Sequence, residues 1–441
     1  MSADGGPRPV GGRFRRLRWA ADGILIAILL VVPWIRVGGE PLVLLDVPGR
    51  KFHVFGLVIF PQELYFLWLI LAALALALFF FTALAGRLWC GWACPQTVLT
   101  DVFSLVARRI EGWSRTGPPA RVAPARRVAT HAVWLALSFV LGFHLVAYFV
   151  SPYTMLEEVR AGALSPTVAG FLVATSVLVY LDLAWVRQTF CKLICPYARF
   201  QGVLFDRDTL VVGYDALRGE PRGKRAAGRG DCVDCGLCVA VCPTGIDIRN
   251  GLQYECIACT HCMDACDGVM ARVGRPRGLI AYRSLVGLER LRKVRLVRPR
   301  VVIYASLLAA TFFAFGAALA GRQPLDLQVA HNVSSLAMAA ADGRVGNAYT
   351  LRIQNRDRAD HRYRLSLEAP EGFELVAGMN PLAVPATSSV EARVFVLAAA
   401  PPSSPAHLRF VLEQEADPAR RVAREATFVP APGGGGAMGG E

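Results

Sequence analysis

The sequence predicts a membrane protein of several domains: an α-helical transmembrane bundle of about five spans, a small α+β domain inserted into it, and a C-terminal all-β sandwich. Three observations carry this. Of the 441 residues, 54% are hydrophobic and the mean hydropathy is +0.40, too apolar for an ordinary soluble enzyme. Eight of the twelve cysteines fall in two runs of identical spacing between residues 232 and 266. Towards the C-terminus the apolar blocks give way to alternation, with apolar residues at every second position.

A basic arm occupies residues 1–18. Apolar stretches that approach the length needed to cross about 30 Å of hydrocarbon as helix follow at Trp19 to Ile35, Leu64 to Ala85, Val128 to Val150, Leu164 to Val186 and Val301 to Ala320. Four spans therefore lie within 19–186, an extramembrane region covers 187–300, and the fifth span takes 301–321. The first span follows Arg13, Arg15, Arg16 and Arg18, so it also reads as a signal peptide, but Arg36-Val37-Gly38-Gly39 offers no A-x-A cleavage site. Arg15-Arg16 invites comparison with a twin-arginine export signal; the further spans argue against that. Basic residues are concentrated in the arm, in the connection holding Arg87, Arg108, Arg109, Arg115, Arg121, Arg126 and Arg127, and from Arg187 to Arg300. Because Lys and Arg resist translocation, the N-terminus and the cysteine-rich region are expected in the cytoplasm and the C-terminus outside. The same pattern accounts for most of the net charge of +14; no recognition motif accompanies it, and no nucleic-acid partner is expected.

The cysteine runs are Cys232-x-x-Cys235-x-x-Cys238-x-x-x-Cys242-Pro243 and Cys256-x-x-Cys259-x-x-Cys262-x-x-x-Cys266, the ligand rhythm of a bacterial two-cluster ferredoxin. Three cysteines on one short loop each reach a separate iron, while the fourth, opening the next helix, points to the other cluster. Cys232, Cys235, Cys238 and Cys266 are thus expected to hold one 4Fe-4S cluster, and Cys242, Cys256, Cys259 and Cys262 a second. Structural zinc sites also use C-x2-C pairs, but tetrahedral zinc explains three evenly stepped cysteines plus a fourth poorly. Asp267 stands where a second proline usually follows Cys266. His261, between two ligands, is expected to tune a cluster by hydrogen bonding.

The other four cysteines form a second repeat. Trp89-Cys90-Gly91-Trp92-Ala93-Cys94-Pro95 and Phe190-Cys191-Lys192-Leu193-Ile194-Cys195-Pro196 share the form aromatic-C-x3-C-P, each just past the end of a span. Proline favours the first helical position, which makes Cys94 and Cys195 N-caps. A thiol there faces the positive end of a helix dipole, with Arg87, Arg187, Lys192 and Arg199 close in sequence, so a lowered pKa and a standing thiolate are expected. Thiolates bind soft metals and perform dithiol chemistry, whereas inert buried cysteine packs as a small hydrophobe. If the motifs face each other they make a four-thiol site for copper, zinc or another cluster.

Within the spans, His144 is a candidate for a cofactor or proton contact, or for a hydrogen bond to a neighbouring helix, and Asp182 lies near a span end. His53 and Asp46 are weaker metal candidates in a Gly- and Pro-rich connection. Across 322–430 the alternating sets Tyr349, Leu351, Ile353; Tyr363, Leu365, Leu367; Val390, Ala392, Val394, Val396; and Leu408, Phe410, Leu412 suggest an immunoglobulin-like sandwich without its inter-sheet disulfide. The tail at 431–441, with Gly433 to Gly436, and the start through Gly12 are expected to be disordered.

With these residues in view, nearly the whole chain resembles the cytochrome c oxidase accessory proteins of the CcoG, FixG and RdxA family. The carriers are Gly86-Arg87-Leu88-Trp89-Cys90-Gly91-Trp92-Ala93-Cys94-Pro95-Gln96-Thr97, Cys191-Lys192-Leu193-Ile194-Cys195-Pro196-Tyr197-Ala198-Arg199-Phe200-Gln201, Asp231-Cys232-Val233-Asp234-Cys235, the outer connection from Asp46 to Gly56, and the sandwich. The resemblance implies a polyferredoxin of the bacterial inner membrane that helps assemble the cbb-type haem-copper oxidase, acting as a cupric reductase that converts Cu(II) to Cu(I). Electrons would enter two 4Fe-4S clusters from a cytoplasmic electron donor and pass to copper, as substrate or bound ion, at Cys90, Cys94, Cys191 and Cys195. Implied partners are membrane lipid, that donor, and copper chaperones or oxidase assembly factors. The C-x3-C-P pair also resembles membrane components of nitrate and nitrous-oxide respiration, which leaves a quinol-linked electron-transfer protein open, as well as a non-catalytic, redox-sensing assembly scaffold.

Overall fold

The structure is a computed structural model describing residues 7–114, 116–119, 121–223, 230–289, 294–331, 338–339, 344–400, 402 and 404–430. It divides into two compact units, Met1–Ala317 and Ala318–Glu441. The glycine-rich tail and residues 1–6 lie outside the described residues.

In the first unit, α1 (Arg13–Val31) leads into the short antiparallel pair β1 (Arg36–Val37) and β2 (Glu40–Pro41). The antiparallel sheet of β3 (Val43–Asp46), β4 (Lys51–Val54) and β5 (Leu57–Ile59) follows. Next come α2 (Leu64–Ala85), α3 (Leu88–Trp92), α4 (Pro95–Glu111), α5 (Pro124–Val146), α6 (Pro152–Arg160) and α7 (Pro166–Leu181). Two π-helical turns at Asp182–Val186 and Phe190–Ile194 join α7 to α8 (Pro196–Leu204). Proline opens α4, α5, α6, α7 and α8, where its missing N–H costs nothing and its φ suits the first turn.

Among the described residues, five helices are long and apolar enough to cross a membrane: Arg13–Trp34, Pro61–Ala85, Pro124–Val146, Pro166–Val186 and Pro299–Ala320. Their large apolar side chains, such as Trp68, Leu74, Phe171 and Phe313, are exposed, as expected where lipid replaces water as solvent. The first helix starts six residues before the predicted span, because its arginines are satisfied within the protein. The amphipathic α4 packs Phe103 and Ala107 against Trp134 and Leu141 of α5, and Trp134 Nε1 donates to the Phe103 carbonyl at 3.0 Å.

The cysteine-rich region is framed by β6 (Val211–Tyr214), with α9 (Ala216–Gly219), α10 (Leu237–Ala240) and α11 (His261–Arg272) before β7 (Ile280–Arg283); α12 (Leu285–Leu288) and α13 (Pro299–Ala320) follow. β6 and β7 pair antiparallel, Val211 with Arg283 through Tyr214 with Ile280. The start of the chain departs from the expected disorder at residues 7–12. Arg8 N–H donates to the Ala240 carbonyl at 3.0 Å, and Gly12 lies so close to Asp264 that a Cβ would sit 2.2 Å from its Cγ.

The second unit is a sandwich. One sheet runs β12 (Phe373–Ala377), β14 (Ser388–Ala398), β10 (Val345–Asn355), β8 (Leu325–His331), with β9 (Met338–Ala339) on β10; the other runs β13 (Leu382–Val384), β11 (His361–Glu368), β15 (Ala406–Gln414), β16 (Asp417–Phe428). Leu327, Leu351, Ile353, Val396, Phe410, Leu412 and Phe428 are fully buried between them, each contributing on the order of 1.5–3 kcal/mol by burial. In place of a disulfide, Tyr349 Oη on β10 donates to the Thr427 carbonyl on β16 at 2.9 Å, and Asn347 Nδ2 to the Val429 carbonyl at 2.8 Å.

Candidate iron–sulfur and four-thiol centre

The two cysteine runs fold alike. In each, the residue two after the first cysteine and the residue after the second take left-handed backbone: Asp234 and Gly236 at φ 54° and 64°, Ala258 and Thr260 at φ 51° and 63°. Such turns curl successive N–H groups inward, a concavity suited to anionic sulfur; the Ala258 N–H points at Cys256 Sγ, 3.5 Å away. Three of the four residues are not glycine, so the conformation costs roughly 1–2 kcal/mol at each and is held by the surrounding packing.

Two cavities result. The first is lined by Cys232, Cys235, Cys238 and Cys266, with Tyr214, Leu237, Met270 and Ile280 around them. The second is lined by Cys242, Cys256, Cys259 and Cys262, with Cys238 in the shared wall and Val212, Ile246 and Ile248 around it. The fourth cysteine of each run therefore crosses to the other run's cavity. Among the described residues no three Cys, His, Asp or Glu groups converge as a single ion requires. Four sulfurs spread around an apolar void suit a larger group, a 4Fe-4S cluster in each cavity. Burial, with the neighbouring cysteines and carboxylates, pushes the thiols up, Cys238 to about 11 and Cys259 and Cys266 to about 12. As thiolates they call for the positive iron core of a cluster.

The two C-x3-C-P motifs do face each other. Cys94 caps α4 and Cys195 caps α8, and Cys90, Cys94, Cys191 and Cys195 all lie within electrostatic reach of one another. The expected lowered pKa is not found for Cys94. Its sulfur does receive the Gln96 and Thr97 N–H groups of the helix N-terminus, but loss of solvation outweighs them and the thiol is pushed up. Cys90 rises to about 11, despite the 2.9 Å hydrogen bond donated by Gln201 Nε2, and Cys191 to about 12. Three nearby cations bind oxygens. Arg87 donates to the carbonyls of Cys256 at 3.1 Å and Ala198 at 2.9 Å, Arg187 to Ser104 Oγ at 2.6 Å, and Lys192 to the Thr244 carbonyl.

Those contacts join the four-thiol site to the second cavity. Gly91, inside the first motif, lies against its wall: a Cβ there would sit 2.4 Å from the Ala258 carbonyl oxygen and 2.7 Å from that of Ile257. Trp92 Nε1 donates to Tyr282 Oη at 3.0 Å, which donates to the Ala258 carbonyl at 3.2 Å. Thr244, Ile257 and Ala258 all line the second cavity, so both motifs touch it.

A third group was missed in the sequence. Arg15 Nη1 and Arg18 Nη2 of α1 share Asp101 Oδ2 of α4 at 2.6 and 2.7 Å. Arg18 Nη1 also donates to the Cys259 carbonyl at 3.1 Å, and both arginines meet His261 Nε2, at 2.9 and 3.0 Å. Burial and these two cations push His261 down to about 3. His261 Nε2 therefore anchors α1, while its Nδ1 is buried without a partner and is the nitrogen left for the expected hydrogen bond to a cluster. Asp264 accepts the N–H groups of Phe14 and Arg15 at 3.1 and 2.7 Å, a carboxylate at the positive end of α1. The available signal was Asp101, the one acidic residue on the buried face of α4.

The remaining candidates make contacts within the protein. His144 Nε2 accepts from Trp34 Nε1 at 3.2 Å and its Nδ1 bonds the Val140 carbonyl at 2.8 Å, the helix-contact alternative. Asp182 Oδ1 accepts from Gln96 Nε2 at 3.1 Å beside the four-thiol site. His53 is buried in β4, and Asp46 accepts the Gly49 N–H at 2.8 Å within its own turn.

Three family models match the chain: a 4Fe-4S dicluster domain over residues 186–285, the IG-like fold at the C-terminus of FixG over 315–431, and a 4Fe-4S binding domain over 66–114, which includes the first C-x3-C-P motif. Protein RdxA of Cereibacter sphaeroides is 39% identical across 90% of this chain and 89% of its own length. Nitrogen fixation protein FixG of Rhizobium meliloti is 36% identical across 84% and 80%, and protein RdxB of Cereibacter sphaeroides 34% across 89% and 88%.

Proposed function

The chain belongs to the FixG/RdxA family of membrane iron–sulfur electron-transfer proteins, and on that premise we propose that it reduces Cu(II) to Cu(I) for maturation of the cbb-type haem-copper cytochrome c oxidase. The observation that carries this reading is the contact between the wall of the second cluster cavity and the segment that carries Cys90 and Cys94, through Gly91, Arg87 and the Trp92–Tyr282 pair. When bound, the two 4Fe-4S clusters supply one-electron transfer. The first cavity, whose Cys235 is exposed, is the entry point for a cytoplasmic one-electron donor. Cys90, Cys94, Cys191 and Cys195 draw together to take the copper ion, since as they stand no three of them converge on a single point, and their soft sulfurs favour Cu(I) over Cu(II). Since burial keeps Cys90 and Cys191 protonated at neutral pH, ligation releases their protons to solvent. One donor electron is consumed for each Cu(II) reduced. The concentration of Lys and Arg in the arm and from Arg187 to Arg300 supports an inner-membrane orientation with the cysteine-rich region in the cytoplasm and the sandwich in the periplasm.

The test is anaerobic. The purified protein is reduced, freed of excess reductant and given Cu(II), and cluster oxidation is followed together with Cu(I) capture by a chelator. Matched electron counts are expected. Clusters that stay reduced beside accessible Cu(II) would overturn the copper reading in favour of quinol-linked transfer or a scaffold.

A further inference from the structure

The two cavities sit in unequal electrostatic surroundings. The second is flanked by the guanidiniums of Arg15, Arg18 and Arg87, against the carboxylates of Asp101 and Asp264. Arg18 faces Cys259 and Arg87 faces Cys256, and both donate to carbonyls of the loop that carries those ligands. Arg15 and Arg18 are 6% and 0% exposed, so water does little to screen them. Around the first cavity the balance reverses. Arg249 faces Cys238 but is already paired with Asp247 at 2.7 Å and Asp234 at 2.5 Å, and Asp267 faces Cys266. Arg18 and Arg87 thus act on ligand thiols of the second cavity, whereas at the first Arg249 is set against Asp247 and Asp267.

Reduction adds one negative charge to a cluster, and net charge nearby is one of the levers that set its potential. Exposure of Cys235 to water acts in the opposite direction, favouring the more charged reduced form at the first cavity. Solvent stabilises through screening, however, whereas the arginines at the second are fixed and buried where Coulomb interactions are strongest. The charge difference therefore decides the order.

We propose that Arg18 and Arg87, with Arg15, are positioning residues that give the second cavity, held by Cys242, Cys256, Cys259 and Cys262, the higher reduction potential. An electron entering at the first cavity then comes to rest beside the four thiols. The proposal rests on the electron-transfer reading but makes no use of copper. The first helix of the chain thereby has an electronic role as well as an anchoring one: its arginines reach from the membrane edge to the cluster loop.

The experiment is an EPR-monitored redox titration of the full-length protein without copper, with iron and acid-labile sulfide measured to confirm loading. In the unmodified protein two couples are expected. Arg18→Gln should lower only the higher one, by at least a tenfold change in the reduced-to-oxidised ratio at fixed ambient potential, or 59 mV for a one-electron couple. Arg18→Lys should restore most of it. Arg249→Gln should lower only the lower couple. Asp101→Asn, which removes the opposing charge from the same network, should raise the higher couple. Opposite shifts from two substitutions in one ion pair cannot come from misfolding, and Asp101→Asn decides the matter if Arg18→Gln loses a cluster. Arg18→Gln moving the lower couple, or Asp101→Asn leaving both unmoved, overturns the proposal. Either result leaves the copper reading standing, since copper reduction is measured separately.

Discussion

The two cysteine regions of the first unit are built from the same residue, both as repeats, yet they hold their sulfurs by different means. In the iron–sulfur region the loops shape themselves. Matched left-handed turns at Asp234 and Gly236, and at Ala258 and Thr260, wrap each run around a cavity, and the fourth cysteine of each run is exchanged across a short helix. At the membrane edge no loop encloses the sulfurs. Cys94 and Cys195 are placed by helix starts, Cys90 by Gln201, and the four converge only because separate helices pack together. Spacing alone determines the first arrangement; the second is a property of the assembly, and so is its chemistry.

The largest effect should come from breaking the self-shaped region. Cys259→Ala is expected to cost about four of eight irons, with the other cluster's EPR signal retained. Loss of both signals would show that the interlocked cavities fold only together. The membrane-edge set should respond in the opposite way: with Cys90→Ser and Cys191→Ser combined, iron content stays unchanged while Cu(II) reduction falls on the order of 100-fold, because serine is a hard and poor ligand for Cu(I). Iron loss in that variant would make these thiols cluster ligands.

The junction between the regions is tested by Gly91→Val. A side chain there must displace the Ile257 and Ala258 backbone, so reduced clusters should persist while their oxidation by Cu(II) slows on the order of tenfold, as misplaced reacting groups do. An unchanged rate would place the transfer route elsewhere.

The smallest effect is in the acid–base behaviour of the metal-free thiols. Cys90 and Cys191 ionise at about 11 and 12 in the folded protein against an ordinary 9.0. Both are neutral when protonated, so the stability they contribute is whole below pH 9 and is lost as pH rises through 11 to 12. Alkylation at pH 8 should accordingly run roughly 100-fold slower at Cys90 than at an unperturbed thiol, since only the thiolate reacts. Fast alkylation would mean that the helix N-terminus prevails over burial after all.

The five long helices, the alternating strands of the sandwich and the pairing of cysteines into two sets were legible because each depends on local periodicity: 3.6 residues per turn, two per strand step, three per cluster loop. Proline at the first helical position, directly after Cys94 and Cys195, announced the N-caps there for the same reason. What sequence could not give was the sign of the thiol shift at Cys94, where a local dipole competes with desolvation by residues from other helices. Nor could it give the partners of Arg15, Arg18 and Asp101, which lie more than eighty residues apart along the chain, or the identity of Gly91 as a point of contact. The amino-acid sequence by itself determined the elements and the ligand sets, since short-range sterics and spacing suffice for those. Only the tertiary structure decided which cavity touches the four thiols and which charges surround it, because burial and Coulomb interaction depend on distances that separate segments acquire by packing.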